Sequence, residues 1–269
     1  MSQGLGVQLG LGGGRSATSS GAPAGGATPF PNEFSASLDG ANDRFSIPKE
    51  LNPTICASAF TFSAWIYPDT ASGYDYILSN GVPLQIVYYL GKIRMWASTT
   101  SGVGGYYSPA LGWGTTASVS IGAWTYLTVV KTATDLKYYL NGSLDSTHTY
   151  SAATTYNPDV AVSLGDYTAG GYPFDGLLEE VSIFNSAISA ANVTTIWNGG
   201  APGNISGLNP VAWWRMGDSV GDVNTSGGVP ANTEAIGTVV NAAAGSNSGG
   251  SGLNATGVNG PAFSTTIPT

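Results

Sequence analysis

Apolar and polar residues alternate along short runs of this chain, and Gly, Pro, Asn or Asp separates one run from the next. In one such run Phe60, Phe62, Ala64 and Ile66 fall on one face of an extended chain, and the intervening residues fall on the other. Runs of this kind, rich in β-branched and aromatic residues, predict β-strands. The predicted strands are residues 34–38, 44–47, 60–67, 76–79, 84–90, 93–96, 119–121, 124–131, 137–140, 160–164 and 177–184.

A long series of short strands predicts an all-β fold, a two-sheet antiparallel jelly-roll sandwich with one short helix and Gly-rich terminal arms. The helix is expected over residues 189–197, where Ser189 is the predicted N-cap and Val193, Ile196 and Trp197 face inward. The Asn141-Gly142 pair that follows the strand at 137–140 is typical of a hairpin turn.

Composition divides the chain into three parts. Residues 1–33 are rich in Gly, Ser and Ala and cannot bury enough apolar surface to fold alone. They form either a disordered tail or an arm that orders against a partner subunit. Residues 34–200 contain the predicted jelly roll. Residues 201–269 form a C-terminal extension with one strand (211–216) that returns to the sandwich, followed by an irregular tail.

Aromatic residues supply a large potential core, and charged residues are scarce. Hydrophobic residues make up 42% of the chain, including 7 Trp, 14 Tyr and 8 Phe. Only 9% of residues are charged, against roughly 25% in an average soluble protein. The solvent-facing surface is therefore built mainly from Ser, Thr, Asn, Gly and Tyr.

The charge balance and the single cysteine exclude several classes of protein. The net charge is −8, and no window collects Lys and Arg into a patch, so the electrostatic footprint of nucleic-acid binding is missing. Cys56 alone cannot build an internal disulfide framework. The first residues lack a basic segment followed by an apolar core, and no apolar run approaches the length of a membrane span. We expect a soluble protein that is not conventionally secreted and contacts no membrane.

Five motifs occur in a fixed order, and together they resemble the laminin G-like, concanavalin A-like jelly-roll family. The opening motif, Phe-Ser-Ala-Ser-Leu-Asp-Gly-Ala-Asn-Asp, occupies residues 34–43, and the closing motif, Asp-Gly-Leu-Leu-Glu-Glu-Val-Ser-Ile-Phe, occupies residues 175–184. Between them lie Phe-Thr-Phe-Ser-Ala-Trp-Ile at 60–66, Trp-Thr-Tyr-Leu-Thr-Val-Val at 124–130 and Leu-Lys-Tyr-Tyr-Leu-Asn-Gly at 136–142.

The resemblance implies two packed antiparallel sheets, usually on a binding or adhesion protein. The same fold hosts lectin-like domains and some glycosidases, so fold alone does not define the function. The late segment Val-Ala-Trp-Trp-Arg-Met-Gly-Asp at 211–218, with its Gly/Asn/Thr-rich tail, resembles jelly-roll structural proteins of tailed phages.

Calcium is the cofactor that the resemblance implies. Many family members bind Ca²⁺ near the turn that Asp39, Asn42 and Asp43 form here, with help from a carboxylate of the last motif, where this chain has Glu179 and Glu180. Carboxylate and amide oxygens are ligands that Ca²⁺ prefers. The alternative is that the aspartates only accept hydrogen bonds from amides of the turn.

Loop aromatics are the candidate sugar-binding residues. Tyr106, Tyr107 and Trp113 fall in a long Gly/Ser-rich loop, and Tyr172 falls in another loop. Rings in such loops form stacking platforms for a sugar, or they attach the loops to the core or to a neighbouring subunit.

The sequence gives little support for an enzymatic function, and we expect no catalytic residues. A retaining glycosidase needs two carboxylates about 5–5.5 Å apart, whereas strand alternation predicts that the adjacent Glu179 and Glu180 point to opposite faces. One His and one Cys cannot build a zinc site from those residue types. Residues 217–221 match Gly-x-Ser-x-Gly, but no helix follows the serine, as a nucleophile elbow requires.

Two functions remain. The first is a virion surface protein, such as a capsid decoration, fibre or tail component. It would be present in many copies or as a homo-oligomer and attached to other virion proteins through its terminal arms. The second is a carbohydrate-binding or adhesion protein, extracellular or on a cell surface, that acts through loop aromatics with or without calcium. The two functions are compatible if the particle binds a host glycan.

Overall fold

The chain forms two antiparallel β-sheets in a computed structural model that describes residues 30–71, 73–81, 84–97, 114–149, 159–219, 221–243 and 253–269. The strands are β1 (Ser35–Asp39), β2 (Arg44–Ile47), β3 (Phe60–Pro68), β4 (Tyr74–Ser79), β5 (Leu84–Tyr89), β6 (Lys92–Ala97), β7 (Thr125–Lys131), β8 (Asp135–Leu140), β9 (Ser143–Thr149), β10 (Val162–Leu164), β11 (Asp175–Phe184), β12 (Ala212–Trp214), β13 (Val223–Asn224), β14 (Ile236–Val239), β15 (Ala255–Val258) and β16 (Ala262–Ser264). The α-helices are α1 (Asn52–Ile55) and α2 (Ala190–Trp197), and short 3-10 helices span Lys49–Leu51, Asn198–Gly200 and Ser206–Leu208.

Each sheet contains eight strands. The first sheet has the order β16-β1-β11-β3-β7-β8-β9, and β12 pairs with one end of β11. The second sheet has the order β13-β14-β15-β2-β10-β4-β5-β6. Several neighbouring strands are far apart in sequence, as β11 beside β1 and β15 beside β2 show, which is typical of a jelly roll. The predicted fold class is confirmed.

The main core lies between the two sheets. Phe62 and Leu178 from the first sheet pack with Phe45, Ile86 and other side chains of the second, and all four are fully buried. Alternation along each strand aims every second side chain into this layer, as the sequence predicts for residues 60–67.

A second apolar layer covers the outer face of the first sheet. Trp65, Tyr126 and Phe184 project outward from the strands and are buried beneath Ile196 of α2 and Trp213 of β12. The first sheet is therefore covered on both faces, and this explains why nine of the ten residues of β11 are buried.

The predicted helix is confirmed in type, position and cap. Ser189 Oγ accepts a hydrogen bond from Asn192 N at 3.2 Å, and α2 ends at Asn198 in the left-handed region with φ 51°. Ile196 is buried as expected, and Trp197 is half-buried. Among the described residues no helix has the length and apolar character needed to cross a membrane.

Three expectations about secondary structure are wrong. Residues 119–121 form a turn region rather than a strand, with Val119 N donating to Gly91 O at 2.8 Å. The segment Ser143–Thr149 is a strand that alternation did not indicate. After β12 the tail is not irregular throughout, because β13 to β16 add to the edges of both sheets. Of the Gly-rich arm, only residues 30–33 fall within the described part of the chain.

Candidate functional site

An aromatic surface lies on the outer face of the second sheet. Because Ile86 and Tyr88 point into the core, their neighbour Tyr89 points outward and meets Tyr74 on the adjacent strand. The two tyrosine rings stack with centroids 4.3 Å apart. The rings of Trp96 and Tyr74 pack in an edge-to-face arrangement with their centroids 5.1 Å apart.

A loop between β10 and β11 extends this surface. Tyr172 lies 5.2 Å from Tyr76, centroid to centroid, and its backbone carbonyl accepts from Tyr76 N at 3.1 Å. The buried Asp166 organises the loop, because its Oδ1 accepts from Tyr167 N at 2.6 Å and from Tyr172 N at 2.8 Å. Tyr172 is therefore fixed at the end of the sheet, although 45% of its surface is exposed.

A pocket opens where the loop meets the aromatic surface, and we call it the tyrosine pocket. Its volume is about 340 Å³. Tyr74 is 41% exposed and Asp75 only 5%. The Oδ2 atom of Asp75 is buried and has no hydrogen-bond partner. The lining residues are Gly40, Gly73, Tyr74, Asp75, Gly171, Tyr172 and Pro173.

The Asp75 carboxyl group is the chemically distinctive member of the pocket. Desolvation by burial, assisted by the nearby charge of Asp175, raises its pKa to about 6. A carboxyl group with an unpartnered oxygen can accept a hydrogen bond from a ligand hydroxyl, and it can donate one when protonated. The sequence did not indicate Asp75, because its role depends on a loop that is distant in the chain.

Of the four residues predicted to bind sugar, Tyr172 lies in this pocket. Tyr106, Tyr107 and Trp113 lie outside the described residues. Tyr74 belongs to a strand that begins in a Gly-containing loop, and an aromatic in that position is the sequence signal that leads to the pocket.

The turn predicted to bind calcium is closed by its own hydrogen bonds. Asp39 Oδ1 accepts from Ala41 N at 2.9 Å and from Asn42 N at 3.4 Å. Asp43 Oδ2 accepts from Asp39 N at 3.1 Å, and burial raises the pKa of the Asp43 carboxyl. Asp39, Asn42 and Asp43 thus lie together on one turn, and the two carboxylates accept hydrogen bonds from backbone amides of that turn.

Glu179 and Glu180 lie away from that turn. The pairing of β1 with β11 places Asp39 opposite Asp175, and Glu179 is four residues farther along β11. At about 3.3 Å per residue the separation is about 13 Å, too great for one ion to contact both places. The five predicted ligands therefore do not form a single site, and Asp175 is the β11 carboxylate nearest to the turn.

The two glutamates do not point to opposite faces, so the expectation from strand alternation is wrong. The pairing of β11 with β3 shifts register between Glu179 and Ser182, and Glu180 has a φ of 48°. This β-bulge places both carboxyl groups on the outer face of the sheet. There they meet Asp218, and one oxygen from each of the three groups lies within 4.8 Å of the others.

Arg215 completes this group, which we call the carboxylate cluster (Glu179, Glu180, Asp218 and Arg215). Arg215 Nε donates to Glu180 Oε1 at 2.9 Å, and Trp213 Nε1 donates to Glu180 Oε2. Glu179 is fully buried and its Oε2 has no partner. One oxygen each from Glu179, Glu180 and Asp218 lies close enough to the others for the three to contact one hard cation.

Desolvation dominates the electrostatics of the carboxylate cluster. It raises the pKa of Glu180 to about 7, although Arg215 and Trp213 oppose the change. It raises the pKa of Glu179 well above the ordinary range, with the Glu180 charge as the next cause.

The carboxylate cluster also contacts the backbone of residues 31–34. Asp218 Oδ1 accepts from Glu33 N at 3.0 Å and from Phe34 N at 3.2 Å, and Arg215 donates to Pro31 O. The contacts of both side chains thus hold the segment that precedes β1.

The motif at 217–221 and the lone histidine are engaged in structural contacts. Asp222 Oδ2 accepts from Ser219 N at 3.1 Å and from Gly217 N at 2.9 Å, and so shapes the turn. His148 Nε2 contacts Gly114 O at 2.9 Å, and its ring packs against Tyr138. The described contacts do not join Ser219 and His148 in a catalytic pair.

The two packed sheets and the exposed aromatic pocket define the class: a lectin-like jelly-roll binding fold. A family model described as the concanavalin A-like lectin/glucanases superfamily matches residues 39–194, more than half of the chain. The chain belongs to this family, as the resemblance indicated. No curated protein matches the chain.

Solved structures with a similar fold include a candidate carbohydrate-binding protein from Bacteroides ovatus, at 15% identity and a TM-score of 0.61, covering 89% of this chain and 62% of the other. This chain therefore spans about three fifths of that protein. Domain 4 of an extracellular arabinanase from Geobacillus stearothermophilus, solved with arabinotriose, has 20% identity and a TM-score of 0.46, with coverages of 60% and 75%. A heptameric pentraxin from Limulus polyphemus has 18% identity and a TM-score of 0.42, with coverages of 62% and 82%.

Proposed function

We propose that this protein is a non-enzymatic carbohydrate-binding module and that the tyrosine pocket holds the sugar. The observation that carries the proposal is that Tyr74, Asp75 and Tyr172 line one pocket. The pocket thus combines two exposed rings with a buried carboxyl group, one oxygen of which has no hydrogen-bond partner. The carbohydrate-binding assignment of the similar Bacteroides ovatus structure supports the proposal at the level of the fold.

The chemistry of the tyrosine pocket suits a sugar ring. Its volume of about 340 Å³ is at the small end of ligand pockets, which span about 300–1,000 Å³. Apolar C–H groups of a pyranose pack on the tyrosine rings, and a ring hydroxyl bonds to Asp75 Oδ2. Gly73 and Gly171 have no side chains to obstruct this approach, and neither has an atom within 4 Å of an added Cβ.

A glycan array followed by calorimetry on the bound glycan tests the proposal. We expect Tyr172→Ala and Tyr74→Ala each to weaken binding by tenfold or more, and Asp75→Asn to weaken it by less because the side-chain volume is kept. Leu144→Ala on β9 is the matched control, because Leu144 is 55% exposed and belongs to the other sheet. Failure to bind any glycan, or equal losses in the control, would refute the proposal.

Calcium at the Asp39 turn is proposed as an assisting cofactor. The ligand set is Asp39, Asn42 and Asp43, with Asp175 in place of the distant Glu179 and Glu180. We expect added Ca²⁺ to raise the melting temperature, and Asp43→Ala to abolish the rise. Unchanged melting of an EDTA-treated sample on addition of Ca²⁺ would contradict the assignment.

We also propose a place for the module on a virus particle, attached through the terminal arms and present in many copies. The Gly-rich residues 1–33 and the 9% content of charged residues motivate this placement, and an extracellular or cell-surface location is the alternative. Mass spectrometry of purified particles tests it: recovery of this chain with capsid or tail proteins supports the placement, and its absence from intact particles opposes it.

A further inference from the structure

Exposed apolar side chains adjoin one another at the end of the sandwich where β5 turns into β6 and β7 begins. Leu90 in that turn is 61% exposed, and Ile121 just before β7 is 53% exposed. The two segments are held together, because Gly91 O accepts a hydrogen bond from Val119 N at 2.8 Å. Tyr74 on the neighbouring strand adds a third exposed apolar surface. Adjoining apolar side chains of this kind mark a surface that another segment can cover.

An exposed carboxylate lies beside these side chains. Gly122 N donates to Pro68 O at 2.8 Å, and the exposed Asp69 follows directly in the chain. The cations of β6 are engaged elsewhere, since Lys92 donates to a backbone carbonyl and Arg94 lies over a tyrosine ring. None of the ion pairs between described residues involves Asp69. We call this surface the distal corner: Leu90, Ile121 and Asp69.

The N-terminal arm has the complementary character. Residues 5–11 alternate Leu or Val with Gly or Gln, so their apolar side chains fall on one face of an extended segment. Arg15 is the one charged residue before Glu33. The arm therefore offers an apolar stripe followed by a single cation, and the distal corner offers apolar side chains beside a carboxylate.

The described chain shows where this arm leaves the sandwich. The Phe30 ring stacks on that of Trp213 with the centroids 6.0 Å apart, and Trp213 pairs with Ser182 of β11. Asp175, seven residues earlier in β11, lies at the distal corner, because its carbonyl accepts from Asp69 N at 2.9 Å. At about 3.3 Å per residue, about 23 Å separate Phe30 from that corner.

The segment between Arg15 and Phe30 has the length to cover this distance. It contains 14 residues, mostly Gly, Ser, Ala and Thr. A flexible segment of that length has an r.m.s. end-to-end distance of about 20 Å. Because this matches the span, the local concentration of the arm at its own distal corner is close to its maximum, in the millimolar range. Docking within one chain is therefore favoured over docking on a second copy.

We propose that residues 5–15 dock on the distal corner of the same chain, with their apolar stripe against Leu90 and Ile121 and with Arg15 paired to Asp69. The docked arm shields these apolar side chains from water. An arm that attaches to a partner subunit first leaves this corner, so the docked and attached arms are two states of one segment. The proposal needs no glycan and does not depend on the function of the tyrosine pocket.

Paramagnetic relaxation in the full-length protein tests this proposal. A nitroxide is attached to Gly13→Cys in a Cys56→Ser background, and a folded spectrum verifies the labelled protein. We expect the signals of Leu90 and Ile121 to lose most of their intensity and to recover it when the nitroxide is reduced. The exposed Val229, beside β13 at the opposite edge of the second sheet, is expected to keep its intensity. The losses are expected to persist on dilution and to be absent between chains that carry the nitroxide and the isotope separately.

Variants of the arm separate docking from mere proximity. Leu9→Asn is expected to weaken docking about tenfold, because an apolar contact is lost. Arg15→Glu is expected to weaken it about 1.4- to 5-fold, and the double variant Arg15→Glu/Asp69→Lys to restore it. Thr18→Asn, outside the docking segment, is the matched control. The proposal is overturned if Val229 loses as much intensity as the distal corner, if losses occur only between different chains, or if Leu9→Asn leaves them unchanged.

Discussion

Replacing Glu180 with Gln tests the account of the carboxylate cluster by its effect on stability against pH. Gln keeps the shape of the side chain but cannot ionise, and its single oxygen accepts from either Arg215 Nε or Trp213 Nε1 and not from both. In the wild-type protein the pKa of Glu180 rises to about 7 from an ordinary value of 4.5, mainly through desolvation of a fully buried group.

The sign and size of the effect follow from that pKa. Between pH 4.5 and about 7 the folded protein holds a proton on Glu180 that the unfolded chain has released, so stability falls as pH rises through this window. Each pKa unit is worth about 1.4 kcal/mol. The protonated group therefore contributes about 3 kcal/mol to the free energy of unfolding, and this contribution is fully present below pH 4.5 and lost as pH rises through about 7. Glu180→Gln is expected to remove this loss.

Equilibrium urea unfolding from pH 4.5 to 7.5 measures the difference. Burial raises the pKa values of Asp75 and Asp222 to about 6. Their ionisation therefore also lowers the stability as pH rises, in the wild type and in the variant. The wild-type free energy of unfolding minus that of the variant removes their contribution and reports Glu180 together with Glu179, whose raised pKa depends in part on the Glu180 charge. Glu50→Gln, at an exposed position, is the matched control. Equal pH slopes in the wild type and Glu180→Gln would refute the reasoning.

Three further substitutions probe the fold itself by thermal and urea unfolding. Gly176→Ala is expected to destabilise the protein by about 1–3 kcal/mol, because the residue has φ 146° and an added Cβ would lie 2.1 Å from Tyr67 O. Gly207→Ala is the control, because an added Cβ there has no atom within 4 Å. Trp214→Ala is expected to cost about 3–5 kcal/mol from a fully buried position; a cost below that of exposed Leu144→Ala would contradict the core assignment. Ser189→Ala is expected to cost about 1 kcal/mol through loss of the α2 cap, and Ser189→Asn is expected to restore most of it.

The features that could be predicted from the sequence are those with a local cause. Alternation in residues 60–67 reflects the two faces of one strand, and Ser189 caps a helix whose first turn follows directly in the chain. The five ordered motifs likewise identified the family. Tyr172 was found because an aromatic in a Gly-rich loop is visible without knowledge of the fold.

The features that could not be predicted depend on contacts distant in sequence. The side chain of Glu180 at the bulge is bonded by Trp213 of β12 and by Arg215 just after that strand, more than thirty residues later in the chain. Asp75 becomes a pocket residue only because the loop at 171–173 folds over it. The strands in the tail are short and contain Gly and Ala, which are depleted in strands, so their pairing partners decide their structure.

The region that matches the family is smaller than the unit that folds. The match covers residues 39–194, yet β16 pairs with β1 and β15 pairs with β2. Without these strands β1 and β2 would themselves be edge strands, each with a row of unpaired backbone N–H and C=O groups. Arg215 and Asp218 further fasten the segment before β1 through three backbone groups. The residues after 200 are therefore part of the sandwich, and the carboxylate cluster is where residues 215–218 hold the segment that precedes β1.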